Sequence, residues 1–285
     1  MIAYLSKLIL TCLPQNAISR LVGKAARSRI SKYFIKPYIS AFKLDTSEME
    51  NPLKSYPNLA AFFTRKLKSG ARPICSSPSS IASPVDGTVA QLGIIKQGTL
   101  IQAKNIHYTV EQLLGCSKEK AALYDGGTFI TIYLSPRDYH RIHMPIDGEC
   151  NQYTYIPGRL FPVNTIGVNH VPGLFTKNER MITYANTQAG EVAIVKVGAF
   201  IVGSVKIAYS EHTTNQKQGK YVSVGIDPPA CYKKGQEIGL FEFGSTVILL
   251  FEKGRMEYLP GIQEGKYLRV GEQIGTYLVQ PVKKS

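Results

Sequence analysis

The sequence contains no C-x-x-C pair, no acidic residue before Asp45, and no run of the roughly twenty apolar residues that a spanning helix needs. The first absence, with five widely spaced cysteines (Cys12, Cys75, Cys116, Cys150 and Cys231) in 285 residues, argues against a disulfide framework or zinc ribbon and favours a reducing compartment. The apolar first thirteen residues hold Lys7 in their middle and meet Pro14, so they are too short to span a bilayer. A cleaved signal peptide fits poorly, because the positive charge is not at the start of the segment. Ile9-Leu10-Thr11-Cys12 is a poor lipoprotein signal, because threonine precedes the cysteine.

The missing acids leave Lys7, Arg20, Lys24, Arg27, Arg29, Lys32, Lys36 and Lys43 unopposed ahead of Asp45, whereas 26 basic residues face 20 acidic ones in the remainder. The net charge of +14 is therefore concentrated at one end. Basic residues interleaved with apolar ones suit an anionic lipid surface, where each well-placed cation contributes about 1 kcal/mol. Nucleic acid is disfavoured, since no recognition motif accompanies the charge. The expectation is a peripheral membrane protein on the cytoplasmic face of the cell membrane. A content of 44% hydrophobic and 19% charged residues is that of a globular chain rather than a disordered one.

Residues 16–43 read as a helix with Ile18, Leu21, Val22, Ala25 and Ala26 on one face, ended or bent at Pro37. A second helix is predicted from Asn58 to Leu67, with Arg65, Lys66 and Lys68 extending the membrane-facing surface. Ser76-Ser77-Pro78-Ser79-Ser80 reads as a linker, dividing a helical membrane-associating region (1–75) from a β-rich catalytic domain (76–285). Strand patterns follow at Val85–Ile95, Thr99–Ala103, Phe129–Leu134, Gln152–Ile156, Met181–Tyr184, Val192–Ile207, Ile238–Phe251 and Leu268–Leu278. A short helix between them is capped by Thr109, with Gln112 three residues on and Gly115 closing it. The predicted class is α+β, with helices at the amino end and a largely antiparallel β core. The aperiodic Arg159–Arg180 segment reads as a long loop, either bordering a lipid-facing mouth or tucked onto the core.

Three segments carry candidate chemistry. In Gly244-Ser245-Thr246, a serine hydroxyl that loses its proton can attack the preceding glycine carbonyl, and glycine grants the backbone the freedom this needs. Asp138-Tyr139-His140-Arg141-Ile142-His143-Met144-Pro145 offers two histidines as the base, and Asp86-Gly87 offers a carboxylate to orient it. Taken singly, each has a plainer explanation. Asp-Gly is commonly a turn, Gly-Ser marks a bulge or close packing and recurs at Gly203-Ser204, and paired histidines serve surfaces, cores and metals. A metal hydrolase is disfavoured, and no metal is expected, because Arg141 and Ile142 fill the gap where zinc motifs carry a carboxylate.

In combination and order these segments resemble the phosphatidylserine decarboxylases, a family that carries a pyruvoyl group made from its own proenzyme chain. The resemblance covers nearly the whole chain, through Ser83-Pro84-Val85-Asp86-Gly87, Tyr133 to Pro145, Pro157 to Asn164, Leu174 to Arg180, and Phe243-Gly244-Ser245-Thr246. The chain departs from the family in having Phe243 where many members have leucine. It also has no tryptophan, and Ala208-Tyr209-Ser210-Glu211-His212 fits the family pattern poorly.

The resemblance implies an Asp86–His143–Ser245 triad. In it His143 takes the Ser245 proton and hydrogen-bonds Asp86, and the chain cleaves itself between Gly244 and Ser245. The products would be a large chain (1–244) and a small chain (245–285) that begins with a covalent pyruvoyl derived from Ser245. Phosphatidylserine would then be decarboxylated to phosphatidylethanolamine through a Schiff base on that group. His140 is implied to handle the substrate carboxylate or supply a proton, with Asp138 helping to orient the pair, and a homodimer is implied as well. The residues themselves do not choose between His140 and His143 as the base. They also leave open a pyruvoyl decarboxylase of a soluble amino acid and a catalytically silent membrane-surface module.

Overall fold

The apolar stretch from Leu240 to Phe251, read above as part of one strand, is two strands in two different sheets. The computed structural model describes residues 14–103, 106–201, 204–217, 219–242 and 244–278. The expectations for the first thirteen residues, Gly203 and Phe243 lie outside them. In chain order the strands are β1 (Ser80–Ala82), β2 (Gly87–Ile94), β3 (Thr99–Ala103), β4 (Ile106–Thr109), β5 (Thr128–Leu134), β6 (Arg141–His143), β7 (Gly148–Ile156), β8 (Arg180–Thr187) and β9 (Gly190–Val197). They continue as β10 (Val205–Ile207), β11 (Ser210–Thr213), β12 (Val222–Tyr232), β13 (Glu237–Phe241), β14 (Ser245–Phe251), β15 (Met256–Tyr258), β16 (Tyr267–Leu268) and β17 (Gln273–Tyr277).

Eight strands form the main sheet in the order β12-β7-β8-β9-β14-β5-β2-β16, and four form a second in the order β11-β10-β13-β6. All pairs between these named strands are antiparallel, as the pattern predicts. Strand β14 lies between β5 and β9, and all seven of its residues are buried. Its side chains alternate between two cores: Val247, Leu249 and Phe251 join one, Ile248 and Leu250 the other. A strand covered on both faces reads as a near-continuous apolar run rather than an alternating one, so period-2 alternation does not mark where β13 ends and β14 begins.

Helices cover one face of the main sheet. They are α1 (Gln15–Arg27), α2 (Ile35–Phe42), α3 (Leu59–Phe63), α4 (Val110–Leu114), α5 (Lys118–Ala122), α6 (Thr165–His170) and α7 (Leu174–Lys177). The Thr109/Gln112 capping box and the left-handed Gly115 at the end of α4 (φ 57°) are as predicted. The helix predicted over 16–43 is broken at Ser28, whose backbone is extended (ψ 150°), and continues as a 3-10 turn and then α2. Pro37 falls in the first turn of α2, where its missing N–H costs nothing.

The helix predicted over 58–67 stops at Phe63, with Asn58 capping it. Arg65, expected to face a membrane, is instead buried at 4% exposure. The Arg159–Arg180 segment is not one loop but carries α6 and α7, and Asn178 ties it down by hydrogen bonds with Phe161 and Gly198.

Charged residues are also buried among the described ones, Lys196 the most completely. Lys196 on β9 is fully buried, and its Nζ donates to Thr183 Oγ1 and to the Ile194 carbonyl at 3.3 Å. Burial pushes its ammonium down to about 7.

Candidate active site

Phe241 ends β13, and Ser245 begins β14, so Gly244-Ser245 lies where the chain crosses from the four-stranded sheet to the eight-stranded one. Ser245 is opposite Leu134 in register. Its Oγ is buried and has no hydrogen-bond partner among the described residues. Gly244 borders a cavity of about 330 Å3 whose walls include Tyr38, Phe42, Phe63, Tyr133, Val163 and Ile201. A nucleophilic hydroxyl thus stands unengaged directly after a carbonyl at the edge of an apolar hollow.

β6 pairs with β13, and the Phe241 N–H donates to the His140 carbonyl at 2.9 Å, which holds His140 beside this crossing, whereas His143 lies opposite Glu237 at the start of β13. His140 is 1% exposed and its ring lies 4.1 Å from that of Phe63, a wall of the same cavity. Its Nδ1 is 2.8 Å from the Asp138 carbonyl. A carbonyl only accepts, so the proton is on Nδ1 and Nε2 carries the lone pair. That Nε2 is buried without a partner. Burial pushes the imidazole down to about 3, and the cationic Arg65 nearby works in the same direction. His140 is therefore neutral at physiological pH.

His143 adopts the same tautomer. Its Nδ1 donates to the Gly235 carbonyl at 2.8 Å, and its Nε2 accepts from the Tyr139 hydroxyl at 3.2 Å. Burial lowers its pKa, while the Gly235 bond and the charges of Glu237 and Asp86 oppose that shift.

The hydrogen bond expected between His143 and Asp86 is not the one made. Asp86, 1% exposed, accepts from Arg72 Nε at 2.9 and 3.0 Å, from Arg72 Nη2, and from the Val270 N–H at 2.7 Å. Arg72 is in turn steadied by Glu48 at 2.8 Å. The guanidinium fork matches a carboxylate better than one imidazole N–H does, and the Gly235 carbonyl satisfies His143 instead. Asp86 influences His143 through its charge alone. Gly87 beside it is required by close packing, because a Cβ there would meet the Tyr133 carbonyl oxygen at 2.5 Å.

Asp138 is anchored at both oxygens. Oδ2 accepts from the Ser135 backbone N–H at 2.6 Å and from its hydroxyl at 2.8 Å, and Oδ1 accepts from Tyr267 at 3.0 Å. Its side chain fixes the turn, and its carbonyl fixes the His140 tautomer. Sequence reasoning missed Arg72, Tyr139 and Arg65 as neighbours of this site. Tyr139 lies within the histidine motif and was visible there, whereas nothing local marks the two arginines. Among the described residues, no group of three or more His, Cys, Asp or Glu is placed to hold a metal.

Comparison with known proteins gives concordant matches. The family model described as "Phosphatidylserine decarboxylase" matches residues 59–276. Among similar proteins, the phosphatidylserine decarboxylase proenzyme of Brevibacillus brevis is 52% identical over 265 residues, covering 93% of this chain and 95% of its own. Those of Myxococcus xanthus and Shewanella frigidimarina are each 44% identical, over 94% and 91% of this chain and 96% and 93% of their own.

Proposed function

The chain belongs to the phosphatidylserine decarboxylase family, and from that premise we propose that it is the proenzyme of a pyruvoyl-dependent enzyme that converts phosphatidylserine to phosphatidylethanolamine and carbon dioxide. The observation that carries this is the buried, unpartnered Ser245 Oγ next to Gly244 at the cavity edge. His140, bonded to Phe241 at the end of the preceding strand, presents a free Nε2 lone pair, and the His143 Nε2 carries the Tyr139 hydroxyl.

In the proposed self-cleavage, His143 takes the Ser245 proton and the charge of Asp86 stabilises the imidazolium. Ser245 Oγ attacks the Gly244 carbonyl, and the peptide C–N bond is exchanged for an ester. Elimination then breaks the Cβ–Oγ bond of residue 245 and frees the Gly244 carboxylate. The dehydroalanine left behind takes up water and loses ammonia to give the pyruvoyl end of chain 245–285, leaving 1–244 as its partner. Because Tyr139 occupies His143 Nε2 in the structure described, the reaction begins when that hydroxyl withdraws.

The pyruvoyl supplies a conjugated carbonyl that accepts electrons as carbon dioxide leaves. Residue 245 fits such a group, since its hydroxyl is buried, makes no hydrogen bond that removing it would break, and follows Gly244 on the wall of an apolar cavity. His140, with its Nε2 free, takes up a proton there and passes it to the product carbon, returning to the neutral form, and Asp138 positions the ring. His140→Ala is expected to cleave normally and to lose about 10²- to 10⁴-fold in decarboxylation, the usual contribution of a general acid or base. Equal loss of both activities would sink this division of labour. Its low pKa predicts that no titration of His140 shapes the activity between pH 5 and 8.

We infer membrane docking from the outward face of the helical region. Helix α1 turns Gln15, Ser19 and Gly23 inward, leaving Leu21 69% exposed, and Ile30 and Tyr33 follow at 71%. Basic side chains interleave with these apolar ones, so the region suits an anionic, cytoplasmic-side surface. The apolar cavity, rimmed by the partly exposed Phe42 and Ile201, favours a lipid over a soluble amino acid. Intact mass spectrometry after incubation with phosphatidylserine vesicles tests the whole proposal. Two fragments, the smaller starting with a pyruvoyl at 245, are expected, together with phosphatidylethanolamine in the lipid; a chain that stays whole with unchanged lipid refutes it.

A further inference from the structure

A second cleft, of about 250 Å3, lies across the Pro136–Asp138 turn from the apolar cavity, and its lining is charged where the first is apolar. Its acids are already engaged. Asp86 and Glu48 are taken by Arg72, Asp138 by Ser135 and Tyr267, and Asp45 by the Ser47 N–H. Three of its cations are not matched in this way. Among the described residues the Lys43 ammonium has no acid partner, Arg137 reaches Asp138 only at 3.9 Å, and Arg65 bonds no carboxylate.

Arg65 is the informative one. Its Nη2 donates to the carbonyls of Arg137 and Asp138 at 3.1 and 3.3 Å, its guanidinium lies 5.4 Å from the centre of the Phe62 ring, and its Nε and Nη1 are buried with no acceptor. A buried cation with unmet donors is costly unless an anion completes it, and the free Nε–H and Nη1–H groups, which lie on different edges of the guanidinium, can each donate to an oxyanion. The Asp138 carbonyl that receives Arg65 also receives His140 Nδ1, so an anion held here lies one carbonyl away from the proposed proton carrier.

We propose that Arg65 binds an oxyanion of the phospholipid headgroup, the phosphodiester or the serine carboxylate, with Lys43 and Arg137 completing the charge. The lipid body would then occupy the apolar cavity on the other side of the turn. This rests on the substrate class proposed above.

The test uses the uncleavable Ser245→Ala chain, so that binding is separated from catalysis, and calorimetry with glycerophosphoserine, glycerophosphoethanolamine and inorganic phosphate. Adding Arg65→Gln is expected to weaken glycerophosphoserine at least 10-fold, with Arg65→Lys partly restoring it. If glycerophosphoethanolamine weakens by the same factor, the phosphodiester is the ligand; if it does not, the carboxylate is. Unchanged affinity for glycerophosphoserine in variants whose circular dichroism is native overturns the proposal.

Should both variants misfold, the Arg65 Nε–H resonance of ¹⁵N-arginine-labelled Ser245→Ala chain decides. It must move on saturation with glycerophosphoserine, and an unmoved signal is the refuting result. Arg65-dependent binding alongside a wild-type chain that never cleaves would keep the anion site and discard the pyruvoyl mechanism.

Discussion

Ser245→Ala protein should remain a single full-length species under every condition that cleaves the wild type, and its decarboxylase activity should fall by at least about 10⁶-fold, the lower end of enzymatic rate enhancement. The substitution removes the attacking atom and the source of the carbonyl at once. Thr246, whose Oγ1 is also buried and unpartnered, cannot take over. The pleat sends its side chain to the opposite face of the sheet, and the carbonyl before it belongs to Ser245 rather than to Gly244. Folding should not suffer, because the lost hydroxyl makes no hydrogen bond. Removing an unmet buried donor is expected to raise stability by about 1 kcal/mol. Cleavage of this variant at 244–245, seen by intact mass, would overturn the mechanism.

Lys196→Met is expected to stabilise the chain by about 2–4 kcal/mol at neutral pH. The ammonium of Lys196 titrates near 7 in the fold, against 10.5 in the unfolded chain, and each unit of pKa difference corresponds to about 1.4 kcal/mol. The unfolded state binds the extra proton throughout that interval. The lysine's contribution is therefore most favourable above 10.5 and is lost as pH falls towards 7. Methionine has nearly the same length and no charge, and replacing a buried unpaired cation with an apolar isostere commonly stabilises. Urea unfolding of the two uncleavable chains at pH 7 and pH 10 checks both the gain and its decline with rising pH. An equal stability at pH 7 would mean that the amine is better solvated than its surroundings suggest.

What could be read from sequence was what is encoded locally. The Thr109–Gln112–Gly115 helix needs only neighbours to specify it, and it formed as predicted. The antiparallel β core was legible through strand composition and turn residues. The break at Ser28 was not, because the apolar residues of 16–43 keep helical spacing through it. Helix α1 also reverses the usual logic, burying Ser19 and Gly23 and exposing Leu21.

At the candidate site, Asp86, His140, His143, Gly244 and Ser245 stood out as residue types at telling spacings. Their actual hydrogen bonds depend on residues remote in sequence, such as Arg72 on Asp86 and Gly235 on His143. Arg65 illustrates the limit most sharply. One residue after Thr64 ends its short helix, a basic side chain looks like solvent-facing surface, and only the tertiary fold turns it inward.

The position of the proposed scissile bond has a thermodynamic consequence. Residue 245 is the first of β14, so cutting before it leaves that strand wholly on the small chain, with its pairings to β5 and β9 intact. The large chain then holds its partner through a shared sheet rather than a covalent link. Unfolding of the uncut chain is unimolecular, and its midpoint does not depend on protein concentration. Unfolding of the cut protein releases two molecules, so its midpoint should rise with concentration, and dilution after denaturation should prevent recovery. Maturation would thus exchange a chain that can refold by itself for an assembly whose native state, once lost, depends on a bimolecular encounter.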